Sequence, residues 1–354
     1  MSSISTSSSK ALFPSQGLRE LAVTPTTLRT YDKNLQHFLL HTRLTPSTFL
    51  SLSHGHLDRL LAQYIEHLFQ CACPFDYASH ALHGVMFRRP ELRGAGFLPT
   101  ARQTLRGWSR KKLSVSHPPL TWEITVLFAV TLSRSGHHGV AVAMLLAFDC
   151  YLRVGELLRL RYCDIVLPHD SRMGSSHRTM AVRLPKTKTG LNQWVSLQNQ
   201  EVAEILQAWM KLSHPDLVAS SSSTDLVFPY PPSYFRKLLH SVKDVLGMSS
   251  TAYVPHSLRH GGATHDFLRG ASIEQVMFRG RWAVMASARR YIQMGPALLA
   301  AQSVPQQVNE LGAVFSRSLV TVLSHTMSTI ASVATRSTSA PNSKTKVRFA
   351  VDIQ

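Results

Sequence analysis

Two residues that can bind one anion together stand in the segment VPHSLRHGGATHDFLRGASIEQVMFRGRWAVMASARRYIQ. His256 and Arg259 are three residues apart, and they follow Pro255. This spacing places both side chains on one face of a helix. An imidazole and a guanidinium on one face can both donate hydrogen bonds to the same anionic group. The segment therefore predicts a helix that presents an anion-binding pair.

Signals for further short helices follow this pair. Gly270 is typical of a residue that ends a helix, because glycine adopts the left-handed backbone without strain. Ser272 and Gln275 have the spacing of a capping box at the start of another helix. Tyr291 follows a third helical start. We expect this part of the chain to fold as consecutive short helices.

Basic residues also occur upstream in two local patterns. In the run LRVGEL, Arg153 is followed three residues later by Glu156. Strand-like runs at 180–184 and 193–197 flank the sequence PKTKTGL, whose lysines and glycine predict an exposed hairpin tip. A further strand is expected at 162–167. The sheet is therefore predicted to be small and antiparallel.

Taken together, these motifs resemble the phage integrase, or tyrosine recombinase, family. The HxxR pair, a tryptophan where that family has histidine or tryptophan, and a tyrosine nine positions later fit its spacing. The LRVGEL run resembles the family's first arginine box, and PKTKTG resembles the loop of its catalytic lysine. The resemblance covers essentially residues 17–300, although in the N-terminal part it rests only on the helical layout. It implies six site residues, which are Arg153, Lys188, His256, Arg259, Trp282 and Tyr291.

The chemistry implied by the resemblance is breakage and rejoining of DNA strands. It would need no metal ion, no ATP and no other cofactor. Arg153 and Arg259 would donate forked, charge-assisted hydrogen bonds to the scissile phosphate and so stabilise its pentacoordinate state. Tyr291 would attack phosphorus and form a covalent 3′-phosphotyrosyl link. The link conserves the bond energy, so that a 5′-hydroxyl can reverse the step.

The other site residues receive supporting roles from the same resemblance. Lys188 is the expected general acid for the departing 5′-oxygen, and Lys186 is the alternative. His256 is the expected base or phosphate donor, and Trp282 would bind the phosphate and support the nucleophile. Glu156 is expected to orient a basic residue, because a carboxylate at the phosphate would repel the anion.

Composition favours a polyanionic partner. Lysine and arginine total 38 against 20 acidic residues, which gives a net charge of +18 and an isoelectric point near 10.2. No acidic residue occurs from position 92 to position 122. We expect this stretch to contact the DNA backbone, although a solvated helix face is the alternative. The candidate DNA-binding residues are Arg102, Arg106, Arg110, Lys111 and Lys112.

The predicted fold class is mainly α with a small antiparallel β-sheet. The resemblance implies an N-terminal four-helix core-binding (SAM-like) domain, an α+β tyrosine recombinase catalytic domain, and a homo-tetramer on double-stranded DNA. The expected segments are a disordered N-terminal arm at 1–17, the core-binding domain at 18–113, a linker at 114–119, the catalytic domain at 120–300, and a C-terminal helix with a disordered tail at 301–354. The late helix, at 306–328, is expected to pack either on a neighbouring protomer or on its own domain.

Several other classes of protein fit the sequence poorly. No apolar stretch approaches the roughly 18 residues of a membrane span, and the N-terminus lacks the apolar core of a secretory signal. We therefore expect an intracellular protein that acts with DNA, in a nucleus or a nucleoid, on no small-molecule substrate. The four cysteines lack CxxC spacing and are expected to be reduced and structural.

The sequence leaves other functions open, both enzymatic and non-enzymatic. The histidines at 137, 138, 260 and 265 lack a second ligand cluster with zinc spacing and are expected to be structural or to face DNA. A type IB topoisomerase has a similar nucleophile and arginines but usually a basic residue in place of His256. A transposon-derived DNA-binding protein that no longer cuts is the non-enzymatic alternative.

Overall fold

The computed structural model describes residue 13 and residues 17–111, 117–168, 170, 179–187, 190–214 and 223–337. The chain divides into two compact units, Met1–Val115 and Ser116–Gln354. The residues predicted for the N-terminal arm lie mostly outside the described part, which includes a short 3-10 helix at Gly17–Ala22.

The first unit is helical, with four longer helices and one short one among its described residues. These are α1 (Pro25–Thr42), α2 (Pro46–Ser51), α3 (His54–Gln70), α4 (Phe75–Arg88) and α5 (Pro99–Lys111). The hydroxyl of Thr24 accepts a hydrogen bond from the amide of Thr27 at 3.1 Å and caps α1. Asp58 accepts from the amide of Ala101 at 2.8 Å and so fixes the start of α5 on α3.

The second unit contains further helices and the sheet. Its described helices are α6 (Trp122–Arg134), α7 (His138–Asp149), α8 (Val154–Leu157), α9 (Gln200–Ser213), α10 (Pro232–Val245), α11 (His256–Leu268), α12 (Ile273–Gly280), α13 (Met285–Arg289), α14 (Met294–Gln302), α15 (Gln306–Arg317) and α16 (Leu319–Ser337). Every residue of α7 is buried, so this helix forms the centre of the core. It packs against α6, α9 and α11, which places the predicted HxxR helix directly on the core.

The sheet has three antiparallel strands in the order β1 (Ile165–Val166), β2 (Ala181–Lys186) and β3 (Leu191–Ser196). The predicted hairpin is confirmed, with Val182 paired to Val195. The prediction of a strand over 162–167 was wrong in its first half, which forms a 3-10 turn at Tyr162–Asp164. The buried carboxylate of Asp164 accepts from the amide of Arg161 at 3.2 Å and stabilises this turn instead.

The C-terminal segment also differs from its prediction. A single helix over 306–328 is replaced by α15 and α16, which are separated at Ser318. Gly312 allows α15 to approach α6, because a Cβ there would lie 2.6 Å from the carbonyl oxygen of Glu123. Leu319 and Leu323 of α16 are buried in the core of the second unit. The C-terminal segment was expected to pack either on a neighbouring protomer or on its own domain. In the structure it packs on its own domain.

No helix in the described part of the chain is long and apolar enough to span a bilayer.

Candidate functional site

The site begins at the short link between α7 and α8, where Arg153 precedes the first turn of α8. Its amide donates to one carboxylate oxygen of Glu156 at 3.0 Å, and its guanidinium donates to the other at 2.6 Å. Burial acts to raise the pKa of Glu156, but the hydrogen bond from Arg153 and the charge of Arg281 outweigh it and lower that pKa. Glu156 therefore stays ionised and holds Arg153, as the sequence predicted for this carboxylate.

Arg259 lies on α11 and is completely buried. Its guanidinium donates to the carbonyl oxygens of Tyr151 and of Gly280, the latter at 2.7 Å, and lies 3.8 Å from Glu156. Burial, and then the nearby guanidiniums of Arg153 and Arg281, lower the pKa of Arg259 to about 9. The side chain therefore remains charged at neutral pH, which favours an anion at this position.

Tyr291 and Trp282 form the aromatic part of the site. Their rings are stacked with centroids 4.5 Å apart, and the guanidinium carbon of Arg259 lies 4.8 Å from the Trp282 ring and 5.1 Å from the Tyr291 ring. Trp282 folds back over Gly280, where a Cβ would lie 2.0 Å from the indole. The glycine is therefore required for the tryptophan to reach the tyrosine.

The backbone of Tyr291 is fixed to the same helix that carries Arg259. The hydroxyl of Thr264 donates to the carbonyl oxygen of Tyr291 and accepts from the amide of Gln293, both at 3.1 Å. The amide of Tyr291 donates to Ala288 at 2.8 Å. The predicted nucleophile is thus held on α11 from both sides of its peptide.

Two histidines border the tyrosine. His256 meets the Tyr291 ring edge-on at 5.3 Å, and His260 is stacked on it at 4.7 Å. Burial, followed by the charge of Arg259, lowers the pKa of His256 to about 4. Burial, followed by His256, lowers the pKa of His260 to about 4. Both imidazoles are therefore neutral at pH 7, and a neutral imidazole can accept a proton.

Several buried donors at this place have no hydrogen-bond partner within the described structure. They include Nε of Arg259, Nε of Arg281 and Nε1 of Trp282. A buried N–H group without an acceptor is energetically costly, and a water molecule or a bound ion commonly supplies that acceptor. Positive charge and unpartnered N–H groups together indicate a site for an anion beside Tyr291.

The structure brings five of the six predicted residues together, while Lys188 lies outside the described residues. Its alternative, Lys186, is exposed at the end of β2 and pairs with Leu191 across the hairpin. Arg153 and Arg259 both lie against Glu156. Trp282 lies against the Arg259 guanidinium, and His256 contacts the Tyr291 ring.

Sequence reasoning missed Arg281, which donates to Glu156 at 3.2 Å and to the carbonyl oxygen of Tyr151 at 3.2 Å. Its only signal in the sequence was its position directly before Trp282. His260 was expected to be structural or to face DNA, and its stacking on Tyr291 was not predicted; the signal for that contact was its position directly after Arg259. Both lie within the predicted motif but owe their roles to contacts that the spacing does not specify.

The predicted DNA-binding residues lie on α5, except for Lys112, which is outside the described residues. Arg106, Arg110 and Lys111 are exposed. Arg102 instead donates to the carbonyl oxygens of Phe97 at 2.9 Å and Arg93 at 3.1 Å. Its guanidinium is therefore used to hold the loop before α5.

The remaining histidines of interest have partners within their own unit. His138 and the hydroxyl of Ser133 form a 2.7 Å hydrogen bond, and the ring of His265 packs edge-on against Phe148. Among the described residues, no three His, Cys, Asp or Glu side chains converge as a metal site would require.

Comparisons with known proteins give the family. The phage integrase family model matches residues 123–296. The Tn1549 transposon integrase, solved in complex with circular intermediate DNA, is similar with a TM-score of 0.51 and 13% identity, over 80% of this chain and 96% of that one. XerH recombinase bound to difH substrate in a pre-cleavage complex is similar with a TM-score of 0.43 and 16% identity, over 78% of this chain and 77% of that one.

XerA recombinase gives a TM-score of 0.39 and 17% identity, over 82% of this chain and 95% of that one. No curated protein matches the chain significantly. The family match spans α6 to α13 and includes all six predicted site residues. The chain therefore belongs to the phage integrase family, and it is a tyrosine recombinase.

Proposed function

We propose that this tyrosine recombinase cleaves and rejoins DNA at a specific site through a covalent 3′-phosphotyrosyl intermediate on Tyr291. The observation that carries the proposal is the tyrosine ring itself, which lies beside a buried guanidinium and unpartnered N–H donors. A phosphodiester is an anion that would satisfy these donors. Duplex DNA also suits the net charge of +18.

In the first step, Arg153 and Arg259 bind the nonbridging oxygens of the scissile phosphate. Negative charge increases on these oxygens as the attacking and leaving oxygens align, so fixed guanidiniums stabilise the transition state more than the ground state. Glu156 holds Arg153 at 2.6 Å before DNA binds. The ion pair therefore fixes the guanidinium in advance, which lowers the cost of ordering it.

The second step forms one bond and breaks another at the same phosphorus. The Tyr291 oxygen attacks phosphorus while the bond to the 5′-oxygen breaks, and the phosphate stays attached to the tyrosine. The phenolic proton passes to a base, for which neutral His256 is the candidate, and Lys188 donates a proton to the 5′-oxygen. Attack by a 5′-hydroxyl of another strand reverses these transfers, so no energy source is consumed.

Assembly follows from the requirement for strand exchange. Two duplexes with two cleaved strands each need four active sites, so we propose a homo-tetramer on DNA. The Tn1549 integrase, which shares this fold, was solved with DNA. Three further copies of this chain and duplex DNA are the partners of the proposal.

Covalent trapping tests the proposed nucleophile. The full chain is incubated with random-sequence duplexes that each carry a nick, without added metal, and denaturing gels score protein–DNA adducts. The wild-type chain should form an adduct, and Tyr291→Phe should form none. Tyr253→Phe is the matched control, because it removes the hydroxyl of another buried tyrosine in the same unit. It should retain the adduct.

Two results would contradict the proposal. An adduct from Tyr291→Phe equal to that of the wild type would remove Tyr291 as the nucleophile. Sequence-specific binding by the wild type without any adduct would favour a DNA-binding protein that no longer cuts.

A further inference from the structure

A second tyrosine lies behind the proposed cleavage site in an unusual backbone conformation. Tyr151 has a φ of 48°, in the left-handed region that residues other than glycine seldom adopt. It stands two positions before Arg153. Its carbonyl oxygen accepts hydrogen bonds from Arg259 and from Arg281. The left-handed turn therefore directs one carbonyl at two arginines of the site.

Glycine would adopt this turn without strain, so the side chain needs its own explanation. The Tyr151 ring is fully buried and is stacked on Trp282 with centroids 6.2 Å apart and an angle of 22°. The guanidinium carbon of Arg279 lies 5.0 Å from the same ring. The phenol donates to Asp266, which also binds Arg279 at 2.6 Å.

These contacts join three parts of the chain. Tyr151 lies on the link from α7 to α8, Asp266 lies on α11, and Trp282 follows the end of α12. Trp282 in turn is stacked on Tyr291 at 4.5 Å. One side chain thus fixes the indole that supports the proposed nucleophile, and the carbonyl of the same residue fixes Arg259.

We propose that Tyr151 is a positioning residue for DNA cleavage, which acts through Trp282 and Arg259 and does not touch the phosphate. This inference rests on the proposed function. The ring sets the place of Trp282, and the carbonyl sets the place of Arg259. The phenol's bond to Asp266 has a smaller part, because the ring contacts remain without it.

Two substitutions at Tyr151 separate the contribution of the ring from that of the phenol, and a third substitution, at Tyr253, is the control. Tyr151→Gly keeps the left-handed turn and its carbonyl but removes the ring, and Tyr151→Phe removes only the phenol. Tyr253→Phe is the control for loss of a buried tyrosine hydroxyl, since that hydroxyl has no partner within the described structure. If Tyr151→Gly does not fold, Tyr151→Asn replaces it, because asparagine also tolerates the left-handed backbone.

The readouts are the rate of adduct formation on nicked duplexes, the affinity for the same duplexes and the emission of Trp282. The emission is taken as the difference from each variant's Trp282→Phe counterpart. We expect Tyr151→Gly to lower the adduct rate on the order of 10- to 100-fold, as misplaced groups do, at unchanged DNA affinity and with a shifted Trp282 emission. Tyr151→Phe should stay within about threefold of the wild type, which corresponds to at most about 0.65 kcal/mol.

Wild-type rates from folded Tyr151→Gly would overturn the inference. If the wild type forms no adduct with any duplex, the proposed function fails and the role in cleavage fails with it; the emission then decides whether the Tyr151 ring positions the indole. An unchanged Trp282 emission in Tyr151→Gly would show that the ring does not position the indole, whereas a shifted emission would support it.

Discussion

Arg259 has a completely buried guanidinium, and such a charge is tolerated only where its surroundings compensate it. The carbonyl oxygens of Tyr151 and Gly280 and the carboxylate of Glu156 provide this compensation. Arg259 reaches the two carbonyls with two different nitrogens, and lysine has one nitrogen and no planar fork, so the position favours arginine for its geometry as well as for its charge. The unpartnered Nε is the part of the group that is left for a ligand.

The two histidines beside Tyr291 make the stability of the second unit depend on pH. The pKa values of His256 and His260 are lowered to about 4, against about 6.5 in an unfolded chain. Between these values the unfolded state binds more protons, so their contribution is full above pH 6.5 and is lost as the pH falls toward 4. Burial raises the pKa of Asp149 to about 6, which acts in the opposite direction and offsets part of this loss.

We therefore predict that Tm falls as the pH is lowered from 7 to 4.5. A His256→Gln, His260→Gln double variant should lose less Tm over this range, because glutamine does not take up a proton. Calorimetry at several pH values measures the difference. The control is His240→Gln, which changes an exposed histidine of the same unit. Parallel curves for the wild type and the double variant would contradict the assignment.

At the scale of elements, α11 owes its position to two glycines. A Cβ at Gly261 would lie 2.1 Å from the carbonyl oxygen of Leu120, and one at Gly262 would lie 2.1 Å from that of Phe148. The helix that carries Arg259 therefore approaches the backbone of its neighbours more closely than any other residue type permits.

Gly261→Ala should lower the free energy of unfolding by about 1–3 kcal/mol, because overpacking must displace backbone. It should also slow adduct formation, since α11 carries Arg259 and anchors Tyr291. Gly295→Ala, on α14, is the matched control because a Cβ there would meet nothing within 4 Å. Urea denaturation measures both variants. Equal stability for the two would show that α11 has room to shift.

The arginines of helix α5 differ in their surroundings. Arg106 and Arg110 are exposed, whereas Arg102 donates to the carbonyl oxygens of the preceding loop. Charge on the exposed face suits a phosphate backbone, and the Arg102 guanidinium closes the loop at 93–97.

We expect Arg106→Gln and Arg110→Gln each to reduce the slope of log affinity against log salt by about 0.9 on nonspecific duplex DNA, with no change in Tm. Arg102→Gln should lower the Tm and leave the slope unchanged. Fluorescence anisotropy over a salt series measures the slopes. A loss of slope in Arg102→Gln equal to that in Arg106→Gln would place Arg102 on the DNA as well.

For the whole molecule, the important fact is that one chain holds the tyrosine and the arginines together. Thr264 fixes the Tyr291 peptide on the helix of Arg259, and Trp282 is stacked on the tyrosine within the same unit. We therefore expect each tyrosine to act in its own site and not in that of a neighbour.

Mixing two inactive variants tests this arrangement. Arg153→Ala retains the tyrosine, and Tyr291→Phe retains the arginines, so the mixture should give no adduct on nicked duplexes if each site uses its own tyrosine. The control is wild type mixed with Tyr291→Phe, which should give an adduct that contains only the wild-type chain. An adduct of the Arg153→Ala chain in the mixture would show that the tyrosine is supplied from a neighbour.

The sequence by itself determined the features that depend on residues close together in the chain. The HxxR pair on one helix, the capping box at Ser272 and the hairpin around PKTKTG follow from local spacing, because helical and strand periods are local properties. Resemblance then supplied the site residues. The break at Ser318 and the turn at Tyr162–Asp164 were missed, because a core contact and a buried carboxylate override the apolar pattern there.

Only the tertiary structure decided how the site is held. Arg281 reaches Glu156 across 125 positions of the chain, and Tyr151 reaches Asp266 across 115. No periodicity encodes such contacts, because they depend on how α7, α11 and α12 pack against each other. The sequence thus identified the groups that perform the chemistry, and the packing of these helices decided which other residues hold those groups in place.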